Sequence, residues 1–205
     1  MHWLDPDALP KTTGTLERFL LNPKADIDGL LLTDGTEIHT PPHLSLQLTN
    51  ALKPGDALTV RGVKTRSAVV VAVAIDPDGG ERIDDEGPAP KHHHPKQKHP
   101  EKPHGEPVTK SSVIQRLLHG PKGQVHGVLL DDGMVVRFAS HHGDEFQHIL
   151  AVDKPLSVSG VSLSNEHGTV IDAQAMGDAP DRLVKVIKHP DHGPKKLKKI
   201  PHEHH

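Results

Sequence analysis

The chain has no cysteine, no tyrosine, one tryptophan and three phenylalanines among 205 residues. Without cysteine there is no disulfide, no thiolate metal site and no cysteine nucleophile, and a metal could be held only by His, Asp and Glu. Aromatic residues make up 2% of the chain, so any core is built from Leu, Val, Ile and Ala, and few rings are on hand to stack on bases. No apolar run is long enough to span a bilayer. The opening "MHWLDPDALP" lacks the basic and apolar stretches of a secretory signal, so a soluble, cytoplasmic protein is expected. Neither a nucleophile elbow nor a Gly-rich phosphate loop is present. "GPKGQVHG" has Gly and Lys at the wrong spacing, and Ser140, His141 and Asp144 form a triad by residue type alone. These absences point away from an enzyme.

What the chain has in excess is histidine. Nineteen His accompany 24 Lys and Arg and 27 Asp and Glu, so the net charge is −3 with neutral imidazoles; adding nineteen protons carries it to +16. The sign of the charge is therefore set near the ordinary imidazole pKa of about 6.5. His92, His93, His94, His99 and His104 lie in "KHHHPKQKHPEKPHGEP". The prolines of that segment oppose helix and sheet and predict an extended, disordered stretch. The C-terminal "KVIKHPDHGPKKLKKIPHEHH" repeats the style, with His202, His204 and His205 beside a run of lysines. His scattered among Lys and Pro in two places are not a purification tag. Two chemistries stay open for them. One is labile, unselective binding of a divalent transition metal (Ni, Zn or Cu), with no cofactor required for folding. The other is salt-sensitive contact with a polyanion.

Laid on itself at an offset of 98 residues, the chain repeats without a gap. "TLERFLLNPKADIDGLLLTDGTEIHT" from Thr15 is answered by "VIQRLLHGPKGQVHGVLLDDGMVVRF" from Val113, and Arg18, Gly29, Asp34-Gly35 and Gly62 recur as Arg116, Gly127, Asp132-Gly133 and Gly160. So long a period means two whole domains and not a solenoid. The expected organisation is a first domain over 12–87, a linker over 88–107, a second domain over 108–180 and a basic tail over 181–205. Each copy reads as three strands, a helix and two strands. Asp-Gly closes the hairpin between strands two and three, and a Gly within strand two marks a bulge or sharp bend. In the helix, Leu48, Ala51 and Leu52, matched by Phe146, Ile149 and Leu150, form one apolar stripe, and Ser140 is the expected N-cap. That order is the OB-fold, a five-stranded Greek-key barrel with one short helix, and at about 75 residues each copy is near the lower limit for a core of its own.

The pattern "FLLNPKADIDGLLLTDGTEIHTPPHL" followed by "LKPGDALTVRG" resembles bacterial proteins that carry OB-like nucleic-acid-binding domains, many of them without an assigned function. The resemblance covers copy one and, less closely, copy two. It implies a barrel and a nucleic-acid partner, and carries no catalytic residue.

An OB barrel binds across strands two and three and with the loops joining strands one to two and four to five. On that surface the sequence offers Lys24, Arg61, Lys64, Arg66, Lys122 and Arg137 for phosphate and Phe138 for stacking. On the second helix His141, Glu145 and His148 fall on one polar stripe at i, i+4 and i+7, a spacing that could converge on one divalent ion, while His142 replaces Leu44 of copy one and is expected to be a half-buried structural residue. The leading reading is a non-enzymatic nucleic-acid or polyanion binder. The alternatives are metal binding or buffering by the His-rich segments and a protein-interaction adaptor.

Overall fold

The computed structural model describes residues 5–87 and 105–186. They form two closed five-stranded barrels of the same topology. In the first, β1 (Lys11–Leu21), β2 (Ile27–Leu32), β3 (Glu37–His39), β4 (Ala57–Lys64) and β5 (Val70–Pro77) are hydrogen-bonded in the order β3-β2-β1-β4-β5, and a parallel β3–β5 pairing closes the ring. A short strand β6 (Ile83–Asp84) is added to β5. The second barrel repeats this with β7 (Glu106–His119), β8 (Val125–Leu130), β9 (Val135–Arg137), β10 (Pro155–Asn165) and β11 (Gly168–Gly177), with β12 (Val184–Lys185) beside β11. This is the OB-fold that the sequence predicts. The sixth strands are not visible in the repeat, because only two residues of each pair.

β1 runs further than expected, and its two halves have different partners: Leu16–Leu21 pair with β2, and Lys11–Thr15 with β4. β7 likewise starts at Glu106, inside the segment read as linker, because Glu106 and Pro107 pair with Ser162 and Val161 of an extended β10. At the other end β12 and the buried Val186 belong to the second barrel, within what was read as tail. The remaining linker and tail, including His92, His93, His94, His99, His104, His202, His204 and His205, lies outside the described residues.

The Asp-Gly hairpins form as expected. Gly35 and Gly133 have φ of 88° and 86°, and Asp34 and Asp132 each accept a hydrogen bond from the backbone N–H two residues on. The bulge in strand two, however, is not at the glycine. It falls on the residue before it, Asp28 in β2 and His126 in β8, each left without a partner across the ladder. Gly29 and Gly127 serve a different need. A Cβ there would stand 2.9 Å from the Ile38 carbonyl oxygen and 2.6 Å from that of Val136, so only glycine lets β3 and β9 come this close.

Helix α1 (Ser45–Ala51) buries Leu44, Leu48 and Leu52, one turn apart, under the first barrel, and leaves Ala51 exposed. Helix α2 (Ser140–Glu145) is shorter than its sequence pattern suggested, so Phe146, Ile149 and Leu150 are buried from the turns that follow it. Ala139, not Ser140, occupies its N-cap, and no side chain caps it. Gly143 brings α2 onto β8, where a Cβ would come within 2.3 Å of the Val125 carbonyl oxygen. That close seat and the poor helix propensity of Gly both favour an early end.

Candidate nucleic-acid interface

Strand two is apolar at consecutive positions, Leu30-Leu31-Leu32 and Val128-Leu129-Leu130, and all six side chains are buried. One face lines the barrel. The other is covered by the second barrel: Leu118, Leu129, Val135 and Val170 join the apolar cluster of the first. The two barrels therefore pack on each other through the strand two and three surfaces that OB barrels ordinarily give to ligands.

The packing is reciprocal. Arg18 on β1 donates from Nη2 to the Gly133 carbonyl oxygen at 2.6 Å, and its repeat counterpart Arg116 on β7 donates from Nη1 to the Gly35 carbonyl oxygen at 2.8 Å. The loops cross in the same way. Asn165, the last residue of β10, donates from Nδ2 to the Ala25 carbonyl oxygen in the β1–β2 loop at 2.9 Å. At the opposite end Gly123, the counterpart of Ala25, lies against Ser67 of the β4–β5 loop, where a Cβ would meet the serine Cβ at 3.3 Å. An approximate twofold axis thus relates the barrels, as in an isologous dimer held within one chain.

At the centre of this joint the symmetry is broken by charge. Arg137, 3% exposed, donates from Nε to the Leu21 carbonyl oxygen at 2.8 Å, from Nη2 to Asp28 Oδ1 at 2.8 Å, and from Nη1 to His126 Nε2 at 2.9 Å. Glu37 accepts from the His119 backbone N–H at 3.0 Å and faces the His119 Nδ1 at 3.2 Å. Asp28 and His126, the bulge residues, are aimed out of their sheets toward each other's barrel, which is what a bulge does to a side chain. Burial pushes Asp28's carboxyl up, opposed by Arg137 and His39, and lowers Arg137, opposed by Asp28 and Glu37. A guanidinium does not deprotonate under physiological conditions, so Arg137 stays charged with Asp28 as its counterion. The His126 imidazole is pushed down to about 3, first by burial and then by the nearby Arg137, His39 and His119.

Several residues expected to contact nucleic acid are thereby committed elsewhere. Arg137 is the centre of the joint. Phe138 is 6% exposed and belongs to the second barrel's core: side chains alternate along a strand, so it cannot share a face with Arg137. Arg61 is held by Asp7 at 3.1 Å and by Asp76 at 2.7 Å, and Arg82 closes the same network. Lys24, Lys64, Arg66 and Lys122 are exposed, and none makes an ion pair among the described residues. They do not form one surface. The Gly123–Ser67 contact brings Lys122 to the β4–β5 loop, which carries Arg66 and follows Lys64 at the end of β4, whereas Lys24 stands at the other end, beside the Asn165–Ala25 contact.

The proposed metal stripe does not assemble. Because α2 stops at Glu145, His148 is off its face, and Glu145 accepts from or pairs with His142 Nδ1 at 2.8 Å. His142 is not half-buried but 1% exposed, and its ring centroid lies 3.9 Å from that of His141. Among the described residues no group of three His, Asp or Glu is placed to hold a metal ion. Nor does any helix among them have the length and apolarity to cross a membrane.

No protein-family model matches the chain, and no curated protein matches it. Among solved structures it is similar to the wild-type single-stranded DNA binding protein of Thermus aquaticus, at 16% identity and a TM-score of 0.23, over 89% of this chain and 94% of that one. A deletion mutant of the same protein gives 15% identity and a TM-score of 0.23, over 91% and 96%. The fold assignment rests on the strand order and barrel closure themselves.

Proposed function

We propose that this protein is a non-enzymatic binder of nucleic acid that grips the phosphate backbone at the loop junction of Lys64, Arg66 and Lys122, with the His- and Lys-rich segments adding diffuse positive charge. The observation that supports this reading is the convergence of two loops from different barrels, both bearing exposed cations that have no counterion among the described residues, while other barrel cations such as Arg61 and Arg137 are neutralised. Phe19, Phe138 and Phe146 are all buried, so the described surface has no phenylalanine on which bases could stack. Recognition is then electrostatic and tolerant of sequence.

Fluorescence anisotropy of a labelled single-stranded oligo-dT with the full chain at pH 6.5 tests this. Affinity should fall linearly on a log–log plot against salt, and the triple variant Lys64→Glu, Arg66→Glu, Lys122→Glu should bind more weakly and reduce the slope by about 2, at roughly 0.7 per phosphate neutralised. Lys24→Glu should change little. No binding by the wild type at low salt, or an unchanged slope in the triple variant, overturns the reading.

A further inference from the structure

We propose that the joint between the barrels is an acid-sensitive latch, in which proton uptake by His126, with His39 beside it, releases the second barrel from the first. The latch is visible in the donor and acceptor roles. Arg137 has only N–H groups to offer, so the ring nitrogen 2.9 Å from Nη1 has to accept, and it can do so only while His126 is neutral. His126 and Arg137 belong to the same barrel, but Arg137 is held over the ring by the Leu21 carbonyl oxygen and Asp28 of the first, so a protonated imidazole would set N–H against N–H and one cation against another for as long as the joint stays closed.

The charged and titratable groups around His126 are Arg137, His39 and His119, the carboxylates Asp28 and Glu37 that line the same gap, and Asp172 of β11, which pairs with Arg137 across the sheet. Asp28 is engaged by Arg137 Nη2 and Glu37 by His119. Between these residues lies a gap of about 10 Å³, room for a single water at most, and the three imidazoles around it are half-buried, so solvent screens an added proton only in part.

The direction of the pH effect follows. His126 and His39 are bases whose closed-state pKa values lie below the ordinary value near 6.5, His126 at about 3 and His39 lowered by burial. The open joint therefore binds the proton more tightly than the closed one. Closure is fully favoured above about pH 6.5 and loses about tenfold in equilibrium constant per pH unit below it, for His126 alone, until pH nears 3. Each barrel is closed by its own β3–β5 or β9–β11 pairing, so the network can be broken without opening either one. What opens instead is the shared surface of strands two and three.

The chain has no cysteine, so nitroxide labels can be placed at Lys24→Cys and Glu166→Cys, which flank the Asn165–Ala25 contact, and their separation read by electron paramagnetic resonance in the full chain without nucleic acid. One short distance is expected at pH 7.5, a growing long-distance population toward pH 4.5, and recovery on neutralising. His126→Gln, which keeps an acceptor for Arg137 but cannot titrate, should lower the pH of half-opening by at least one unit. Should that variant be open already at pH 7.5, His39→Gln takes its place with a smaller shift in the same direction. A distance unchanged from pH 7.5 to 4.5, or Gln variants that open at the wild-type pH, overturns the latch. Because no nucleic acid is present, the outcome is independent of the binding reading.

Discussion

The two barrels share strand order, bulges, hairpins and the loop contacts that tie them together, yet at matched positions in the joint their residues differ in kind. Asp28, Glu37 and His39 of the first barrel stand where the second has His126, Val135 and Arg137. Two copies of the first barrel would bring a second pair of acids to the centre, and two copies of the second would bury Arg137 against His126 with no carboxylate. Only the mixed pair places Arg137 on Asp28. The repeated skeleton sets how the barrels dock, and the departures from the repeat set which barrel docks on which.

The largest test of that division is Arg137→Ala. It leaves Asp28 buried without a counterion, and removing one member of a buried pair costs about 3 to 5 kcal/mol. At the matched position in the first barrel, His39→Ala removes a neutral ring and should cost about 1 kcal/mol. Urea denaturation of the two variants at pH 7.5 measures the difference. Equal losses would mean that the joint is held by apolar contact, with the ion pair contributing nothing of its own.

Arg18 and Arg116 probe the symmetric part. Each makes one charge-assisted hydrogen bond to a hairpin carbonyl of the other barrel, so Arg18→Ala and Arg116→Ala should each cost about 1.5 kcal/mol and agree within about 0.5 kcal/mol. A large inequality in the same denaturation experiment would show that the twofold relation is one of position only and not of energy.

The barrels themselves were legible because the repeat, the Asp-Gly turns and the three consecutive apolar residues that end strand two each depend on local pattern. The joint was not, because nothing local says that residue 137 meets residue 28. A signal was nonetheless present. Strand two is too apolar for a surface that faces water, which implied a covering, and the repeat positions that change charge character, 28 with 126 and 39 with 137, mark what that covering touches. Placing Arg137 and Phe138 on one face ignored the alternation of a strand, where a step of one residue exchanges core for surface. The α2 stripe failed for a different reason: a close seat at Gly143 shortened the helix, and periodicity beyond a helix end places nothing.

The smallest difference between the copies is Ala25 against Gly123, at the matched turn positions where the loops of the two barrels meet. Ala25 is held at φ 63° and Gly123 at 90°, in the left-handed region that costs an L-residue about 1 kcal/mol. Ala25→Gly removes that cost, but it also loosens the unfolded chain by about 0.5 to 1 kcal/mol and deletes a methyl that is 8% exposed within the first barrel's core. The terms oppose, and stability should change by less than about 0.5 kcal/mol. In Gly123→Ala the left-handed cost is offset in part by the same term, now a gain of about 0.5 to 1 kcal/mol from a stiffer unfolded chain, but the new Cβ also stands 3.3 Å from the Ser67 Cβ, and that contact decides the sign: a loss of up to about 1 kcal/mol is expected. Paired thermal melts read both. If Gly123→Ala proves neutral, Ser67 yields freely, and the loop junction that gathers Lys64, Arg66 and Lys122 is looser than its counterpart at Ala25.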